Sequence, residues 1–362
     1  MNRRHVLAGA AGLTFAASHA VAAEPSAKSA GFHFPLETAR HTRTFMQWPT
    51  SVKTYGDRKA LEDVQGSIAD IANAIQRFEP VVMMASPHEI TYAKPLFEKN
   101  VTFWPFATQD LWCRDAGPSF VIDGKGGLAV SELNFNGWGN KQPHADDAKL
   151  ARLCAEKLGL QVFDSGVVGE GGGIETDGEG TLMAHASCWV NPNRNKGSAE
   201  EVGKLLLDSM GAEKIIWAPG VIGADITDYH IDALARFVKP GQVVIQLPDA
   251  PMDSDPWSVA AYVTYDILKK ATDANGRKLD IVVIPDPVDI RSREADFVSS
   301  YVNYYVCNGA VISAQFGDDK ADARAAEILK QLYPDREIVS LDIDPIGESG
   351  GGINCATQQP AV

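Results

Sequence analysis

The 362-residue sequence predicts an α/β fold, one closed domain over residues 31–362 in which a single supersecondary unit recurs. Three observations predict it. Five segments carry apolar residues at helical spacing, each is followed by a short strand-like run, and strand pairs broken by Gly, Asp, Asn or Pro fill the intervals. The order repeats every 50 to 90 residues or so, roughly the span of one repeated unit, and no Pro/Ser/Gly-rich linker divides the chain beyond its N-terminal segment. An open doubly wound sheet would account for the alternation of helix and strand, but not for the extra strand pair in each unit.

The N-terminal residues stand apart from this pattern. MNRRHVLAGAAGLTFAASHAVAAEPS sets Arg3 and Arg4 before an apolar run from Val6 to Ala17, with small residues at 20–23. Residues 1–23 are therefore expected to be a twin-arginine export signal and the mature protein to be periplasmic. The apolar run falls short of the roughly 20 residues that a membrane-spanning helix needs.

The elements follow in order. A first helix with Leu61, Val64, Ile68, Ile71 and Ile75 on one face leads to the strand VVMMA, and a second, with Leu150, Leu153, Cys154 and Leu158, closes at Gly159 and leads to QVF. The third opens on a Ser198/Glu201 capping box, buries Val202, Leu205 and Leu206, stops at Gly211 and leads to KIIWA. The fourth follows Pro256, presents Val259, Val263 and Ile267, and leads to IVVIP; the fifth runs through Ala325, Ile328, Leu329 and Leu332 to Pro334 and leads to EIVSL. Between them lie the strand pairs PSFVID with GLAVSELNF, ARFV with QVVIQL, and YVNYYV with AVISAQF.

With 45% hydrophobic and 22% charged residues the chain can bury a large core. Its net charge of −14 becomes about −16 once Arg3 and Arg4 leave with the signal, which argues against nucleic acid or an anionic membrane as partner and favours a cationic ligand. The five cysteines show neither CxxC pairing nor zinc spacing, so no metal site is expected, and their odd number leaves at least one outside any intramolecular disulfide.

Chemistry concentrates in four loops. GEGGGIETD (169–177) and GESGGGINC (347–355) are near copies, expected to be glycine turns leading into strands, with Glu170 in one and Cys355 at the end of the other. Similar turns inherited by duplication, with no chemistry, would look the same; a phosphate loop would not, since neither run has the required spacing or GK[ST] ending. DLWCRDAGP (110–118) is an acidic and aromatic knot, and in ITDYHID (226–232) a strand would point His230 and Asp232 to one face. A thiol becomes a useful nucleophile beside a histidine, and the histidine is normally oriented by a carboxylate. Cys355, His230 and Glu170 suit those roles. Asp115 and Asp232 are then left over, and carboxylates disfavour a thiolate unless the ligand is itself a flat cation such as a guanidinium.

WCRDAGPSF, FNGWG, EGGGIETDGEGT, NPNRN, HID, SYVNYYV with NGAVISAQFGD, YPDREIV and GGGINCATQQP, spread from Phe45 to Gln359, resemble in order the pattern of agmatine deiminases and the related bacterial peptidylarginine deiminases, which are penteins. The resemblance implies a five-bladed α/β propeller of ββαβ units with pseudo-five-fold symmetry around a central site. It implies that Cys355 attacks a guanidinium carbon, that His230 serves as acid and then base with Glu170 orienting it, and that Asp115 and Asp232 grip the guanidinium nitrogens. Trp112 would wall the flat group, Asn303 support it and Gly352 line it, with no metal or organic cofactor and a small cationic guanidine, agmatine or an arginyl group, as partner; a homodimer is left open. Asn354 stands where the family usually has histidine. Residues 116–150 hold no arginine to meet a substrate carboxylate, which favours agmatine. A peptidylarginine or other exported guanidine deiminase, or a binding protein without turnover, remains the alternative.

Overall fold

The structure is a computed structural model and describes residues 25–294 and 296–362, so the expected signal over 1–23 lies outside the described residues. Its strands form five sheets of three. In the first, β1 (Thr44–Gln47), β2 (Val81–Met84) and β3 (Val101–Trp104) run parallel, with Phe45 opposite Val82 and Val82 opposite Thr102, and helix α1 (Arg58–Ile75) links β1 to β2. A parallel pair needs a long crossover, and the helix supplies it.

The other four sheets share one plan, strand, antiparallel strand, helix, parallel strand. The second has β4 (Ser119–Ile122), β5 (Leu128–Glu132), α2 (Leu150–Leu158) and β6 (Gln161–Asp164). The third has β7 (Ile174–Thr176), β8 (Thr181–His185), α3 (Ala199–Met210) and β9 (Lys214–Ala218). The fourth has β10 (Ala235–Lys239), β11 (Gln242–Leu247), α4 (Pro256–Leu268) and β12 (Asp280–Pro285), and the fifth β13 (Tyr305–Cys307), β14 (Ala310–Gln315), α5 (Asp319–Leu332) and β15 (Glu337–Asp342). The antiparallel strand that the first sheet lacks comes from the other end of the chain: Phe45 N donates to Gln358 O at 2.7 Å and Gln358 N to Phe45 O at 3.0 Å. That is why no strand pair is visible in the sequence ahead of α1.

The helices form where side chains satisfy their orphan N–H groups. Asp57 caps α1 at Ala60 N, Ser198 and Glu201 make the expected capping box on α3, Asp255 caps α4 at Trp257 N and Ser258 N, and Asp318 caps α5 at Ala321 N. Gly159 and Gly211 end α2 and α3 in the left-handed region. The expected inward faces hold for α1, where Leu61, Val64, Ile68, Ile71 and Ile75 are buried. On α4 they do not: Val259 and Val263 are 37% and 40% exposed, while Ser258, Ala260, Ala261, Thr264 and Leu268 are buried. Small side chains let this helix lie close on Val243 and Ile245 of β11, so the packed stripe is the one with the least bulk. One continuous core runs from α1 through β13 and β14 to Trp112, Ile353 and Cys355, so the expected nucleophile is backed by packed side chains. Among the described residues no helix is long and apolar enough to cross a membrane.

Candidate active site

The expected site residues lie in loops just ahead of the first, antiparallel strand of the five sheets, His230 and Asp232 sharing one loop. Asp115 is in the short helix Cys113–Ala116 before β4, Glu170 precedes the 3-10 turn Gly171–Gly173 before β7, and His230 and Asp232 flank Ile231 before β10. Asn303 precedes β13, and Cys355 sits in a turn before the C-terminal segment that pairs with β1. Repetition of the unit thus brings five equivalent loops to one place.

There the side chains meet. Asn303 Nδ2 donates to Cys355 Sγ at 3.1 Å, Cys355 N donates to Asn303 Oδ1 at 3.3 Å, and Sγ lies 3.5 Å from Asp232 Oδ2. His230 stands between two carboxylates, Nε2 at 3.2 Å from Glu170 Oε2 and Nδ1 at 3.7 Å from Asp115 Oδ1. Trp138 Nε1 donates to Asp115 Oδ2 at 2.9 Å and Gly172 N to Asp115 Oδ1 at 3.0 Å. The group is deeply enclosed: Cys355 is 8% exposed, and Asp115, Glu170, His230, Asp232 and Asn303 are 5% or less. Asp232 Oδ1 is buried without a hydrogen-bond partner, and such an acceptor is costly unless a donor reaches it.

Charge follows from this crowding. Burial, then Asp232 and Asp115, push the Cys355 thiol well above its usual range. Burial also raises Asp115 to about 6, with Glu170 and Asp232 adding to it against the pull of His230, and raises Asp232. Burial opposes a charge on His230, but Asp115, Glu170 and Asp232 outweigh it and lift the imidazole to about 9. At neutral pH the site therefore holds an imidazolium and a neutral thiol, with an unmet acceptor on Asp232.

The glycines act mainly by leaving room. A Cβ on Gly172 would lie 2.8 Å from His230 Nδ1, 2.9 Å from Asp115 Oδ1 and 3.1 Å from Asp232 Oδ2. A Cβ on Gly352 would meet Asn303 Oδ1 at 2.6 Å, and one on Gly351 would meet the Trp112 ring at 2.4 Å, which places Trp112 against the Cys355 turn. Of the run before Cys355 only Gly350, at φ 96°, needs the left-handed region.

Two local expectations are corrected. GGGIETD does lead into a strand, β7, but GGGINC leads into a turn, because residues 353–356 fold back under Asn303 and Arg114 instead of extending. ITDYHID is not a strand either: His230 is extended and 231–233 form a 3-10 turn, so His230 and Asp232 converge through turn geometry and not through strand alternation. Two members of the site carried no assigned role in the sequence. Arg194, of NPNRN, is fully buried and holds Glu170 from Nε at 2.8 and 3.0 Å, and Trp138, of FNGWG, holds Asp115; both lay in motifs already singled out, but nothing in their spacing tied them to a carboxylate. The remaining cysteines, Cys113, Cys154, Cys188 and Cys307, are buried and free, and burial raises their thiols, Cys154 to about 12.

A thiol with an imidazole clasped by carboxylates, beside an acidic group with an unmet acceptor, defines a cysteine–histidine site shaped for a planar cation. Residues 33–360 match the model of the Porphyromonas-type peptidyl-arginine deiminases, and the chain belongs to that family. It is similar to the agmatine deiminase of Pseudomonas aeruginosa, 35% identical with 91% of this chain and 95% of that one covered, and to the agmatine deiminase of Stutzerimonas stutzeri, 34% identical with the same coverage. Among solved structures it resembles the agmatine deiminase of Enterococcus faecalis, 28% identical, with a TM-score of 0.87 over 93% of this chain and 98% of that one.

Proposed function

We propose that the chain is an agmatine deiminase-type hydrolase, converting agmatine to N-carbamoylputrescine and ammonia through a covalent thiouronium on Cys355. The observation that carries this is the bare Asp232 Oδ1 beside the Cys355 sulfur: a guanidinium N–H satisfies that oxygen and sets the electrophilic carbon near Sγ.

The steps follow from the charges. The guanidinium lies between Asp115 and Asp232, against Trp112 and Gly352, while Asn303 steadies the sulfur. Its charge offsets the carboxylates that hold the thiol protonated, the thiol proton passes to Asp232 Oδ2, 3.5 Å away, and Sγ bonds to the guanidinium carbon. His230, an imidazolium below pH of about 9, protonates one nitrogen of the tetrahedral adduct; the C–N bond breaks and ammonia leaves a thiouronium. Neutral His230 then takes a proton from water as the oxygen adds to carbon, and collapse expels the sulfur, which takes back its proton from Asp232, while the hydroxyl proton leaves with the ammonia as ammonium and the ureido C=O remains. Glu170 keeps the ring aligned throughout, and Arg194 keeps Glu170 aligned. No bound metal or organic cofactor enters any of these steps.

Enclosure of the site residues, none more than 8% exposed, favours a small free guanidine over an arginine on a protein surface, and the acidic chain favours a dication over nucleic acid or membrane as partner. The five like sheets, closed by the C-terminal segment against β1, support a pseudo-five-fold ring around the site. Export through residues 1–23 is part of the same reading; the mass of the chain recovered from the periplasm reads it. The activity is tested by following ammonia and ureido product from agmatine, free arginine, arginyl peptides and small guanidines. Agmatine turnover that disappears in folded Cys355→Ala is the expected result; agmatine bound for hours without ammonia identifies a binding protein instead, and preference for arginyl peptides moves the substrate to peptidylarginine.

A further inference from the structure

Behind the site lies a carboxylate with no part in the steps above. Glu37, in the arm that precedes β1, has a side chain only 10% exposed and takes four hydrogen bonds. Its Oε2 accepts from Arg114 at 3.2 Å, Arg236 at 2.6 Å and Asn354 Nδ2 at 2.9 Å, and its Oε1 accepts from Val306 N at 2.8 Å. Every donor stands within a few residues of a site group. Arg114 adjoins Asp115, Asn354 adjoins Cys355, Arg236 follows Asp232 on β10, and Val306 follows Asn303 on β13. Arg114 adds two bonds of its own to the nucleophile turn, from its N to Cys355 O at 3.0 Å and from Nε to Asn354 O at 3.3 Å.

We propose that Glu37 is a positioning residue of the reaction, a buried anion that ties the Cys355 turn to the segments bearing Asp115, Asp232 and Asn303 and balances the two guanidiniums behind them. The proposal rests on Cys355 being the nucleophile. Its geometric basis is that one side chain spans four segments distant in sequence; a nucleophile displaced by a fraction of an ångström loses its line to the guanidinium carbon. Its electrostatic basis is that Arg236 and Arg114 both act on Asp232, which in turn faces the sulfur. With Glu37 ionised, their charge is largely spent on it. Without that anion Arg114 loses its carboxylate partner and Arg236 keeps only Glu175, at 2.9 Å from Nε, so both act more strongly on Asp232 and Cys355, and the thiol becomes easier to ionise. Asn354 acquires a purpose here too: its amide is the tether from the nucleophile turn to Glu37.

The test is Glu37→Gln, which keeps the shape and removes the charge. In the folded variant, kcat for agmatine falls about a hundredfold while KM stays within about threefold, the pattern of a misplaced reacting group and not of lost binding. Alkylation of Cys355 by iodoacetamide, followed at that peptide without substrate, moves to lower pH. This second readout needs no turnover, so it tests Glu37 even if agmatine proves not to be the substrate. Unchanged kcat overturns the proposal, and so does a fall in kcat with an unmoved alkylation profile, which marks a residue that only holds the fold. If Glu37→Gln does not fold, Asn354→Ala cuts one tether and leaves every charge in place; a loss of about tenfold in kcat at similar KM supports the proposal, and wild-type kcat overturns it.

Discussion

Three carboxylates, one imidazole and one thiol share a volume from which water is nearly excluded, and the protonation of Asp115, His230 and Cys355 is set by burial and by their neighbours there. In the proposed mechanism Asp115 must be ionised to hold a cation, and it takes up its proton near pH of about 6. His230 must be charged to protonate the leaving nitrogen, and it loses its proton near about 9. On the proposed reading kcat/KM therefore rises to a plateau above pH of about 6 and falls above about 9, by up to about tenfold per pH unit on each limb. A pH–rate profile that is level from 5 to 7 would remove Asp115 from the binding role. The same values set a stability trend in the substrate-free protein. Both pKa values are raised in the folded state, from 3.8 for Asp115 and 6.5 for His230. Their contributions are present below those unfolded values and are lost as pH rises through the folded ones, about 6 and about 9. The protein without ligand should melt lower at pH 9 than at pH 6.5, and a bound guanidinium should restore more at the higher pH.

At the scale of elements the same loop position is reused: a turn before a sheet's first strand, short enough to aim one side chain inward. Gly172 shows how little room remains. Gly172→Ala places a methyl among His230, Asp115 and Asp232; it should cost about 1–3 kcal/mol in stability by overpacking and lower kcat/KM about a hundredfold through displaced groups. Gly66→Ala is the matching control: it lies on the exposed side of α1 with nothing within 4 Å of the added methyl, and it should stabilise by about 0.5–1 kcal/mol without touching activity. Urea melts and turnover of the two variants separate the effects. What could be read from the sequence follows the same division. Helices declared themselves by apolar period and caps, and Cys355, His230, Asp115, Asp232 and Glu170 stood out as candidates by residue type in unusual loops, which the structure brings together. What escaped was whatever depends on a partner distant in sequence, such as Arg194 on Glu170, Trp138 on Asp115 and four segments on Glu37. The inward face of α4 escaped for a different reason, since bulk and periodicity pointed to Val259 and Val263 while close approach to β11 selected the small residues beside them.

For the whole molecule the decisive contact is between the chain's two ends. The first sheet opens with β1, but its antiparallel neighbour is residues 358–362, which follow every other sheet in sequence. Four backbone hydrogen bonds make this join, Thr42 N to Pro360 O, Phe45 N to Gln358 O, Gln358 N to Phe45 O and Val362 N to Arg40 O. Arg114 reinforces it, donating from Nη1 to Gln358 Oε1 and from Nη2 to Gln359 Oε1. Cys355 lies in the turn that enters this segment, so the pairing that completes the first sheet also anchors the turn that carries the proposed nucleophile. Deleting residues 358–362 would forfeit those four bonds, at about 1 kcal/mol each, and leave the edge of β1 unpaired next to Phe45, which is fully buried. Set against a total stability of about 5–15 kcal/mol, a loss of about 4 kcal/mol should leave a chain that still folds but melts at markedly lower urea. Turnover should vanish even at low urea, because the Cys355 turn loses the anchor on its C-terminal side. Urea denaturation followed by circular dichroism, with activity measured on the same samples, checks both. A truncated chain that keeps wild-type kcat would show that the nucleophile is placed by the Asn303 and Arg114 contacts alone, without closure of the first sheet.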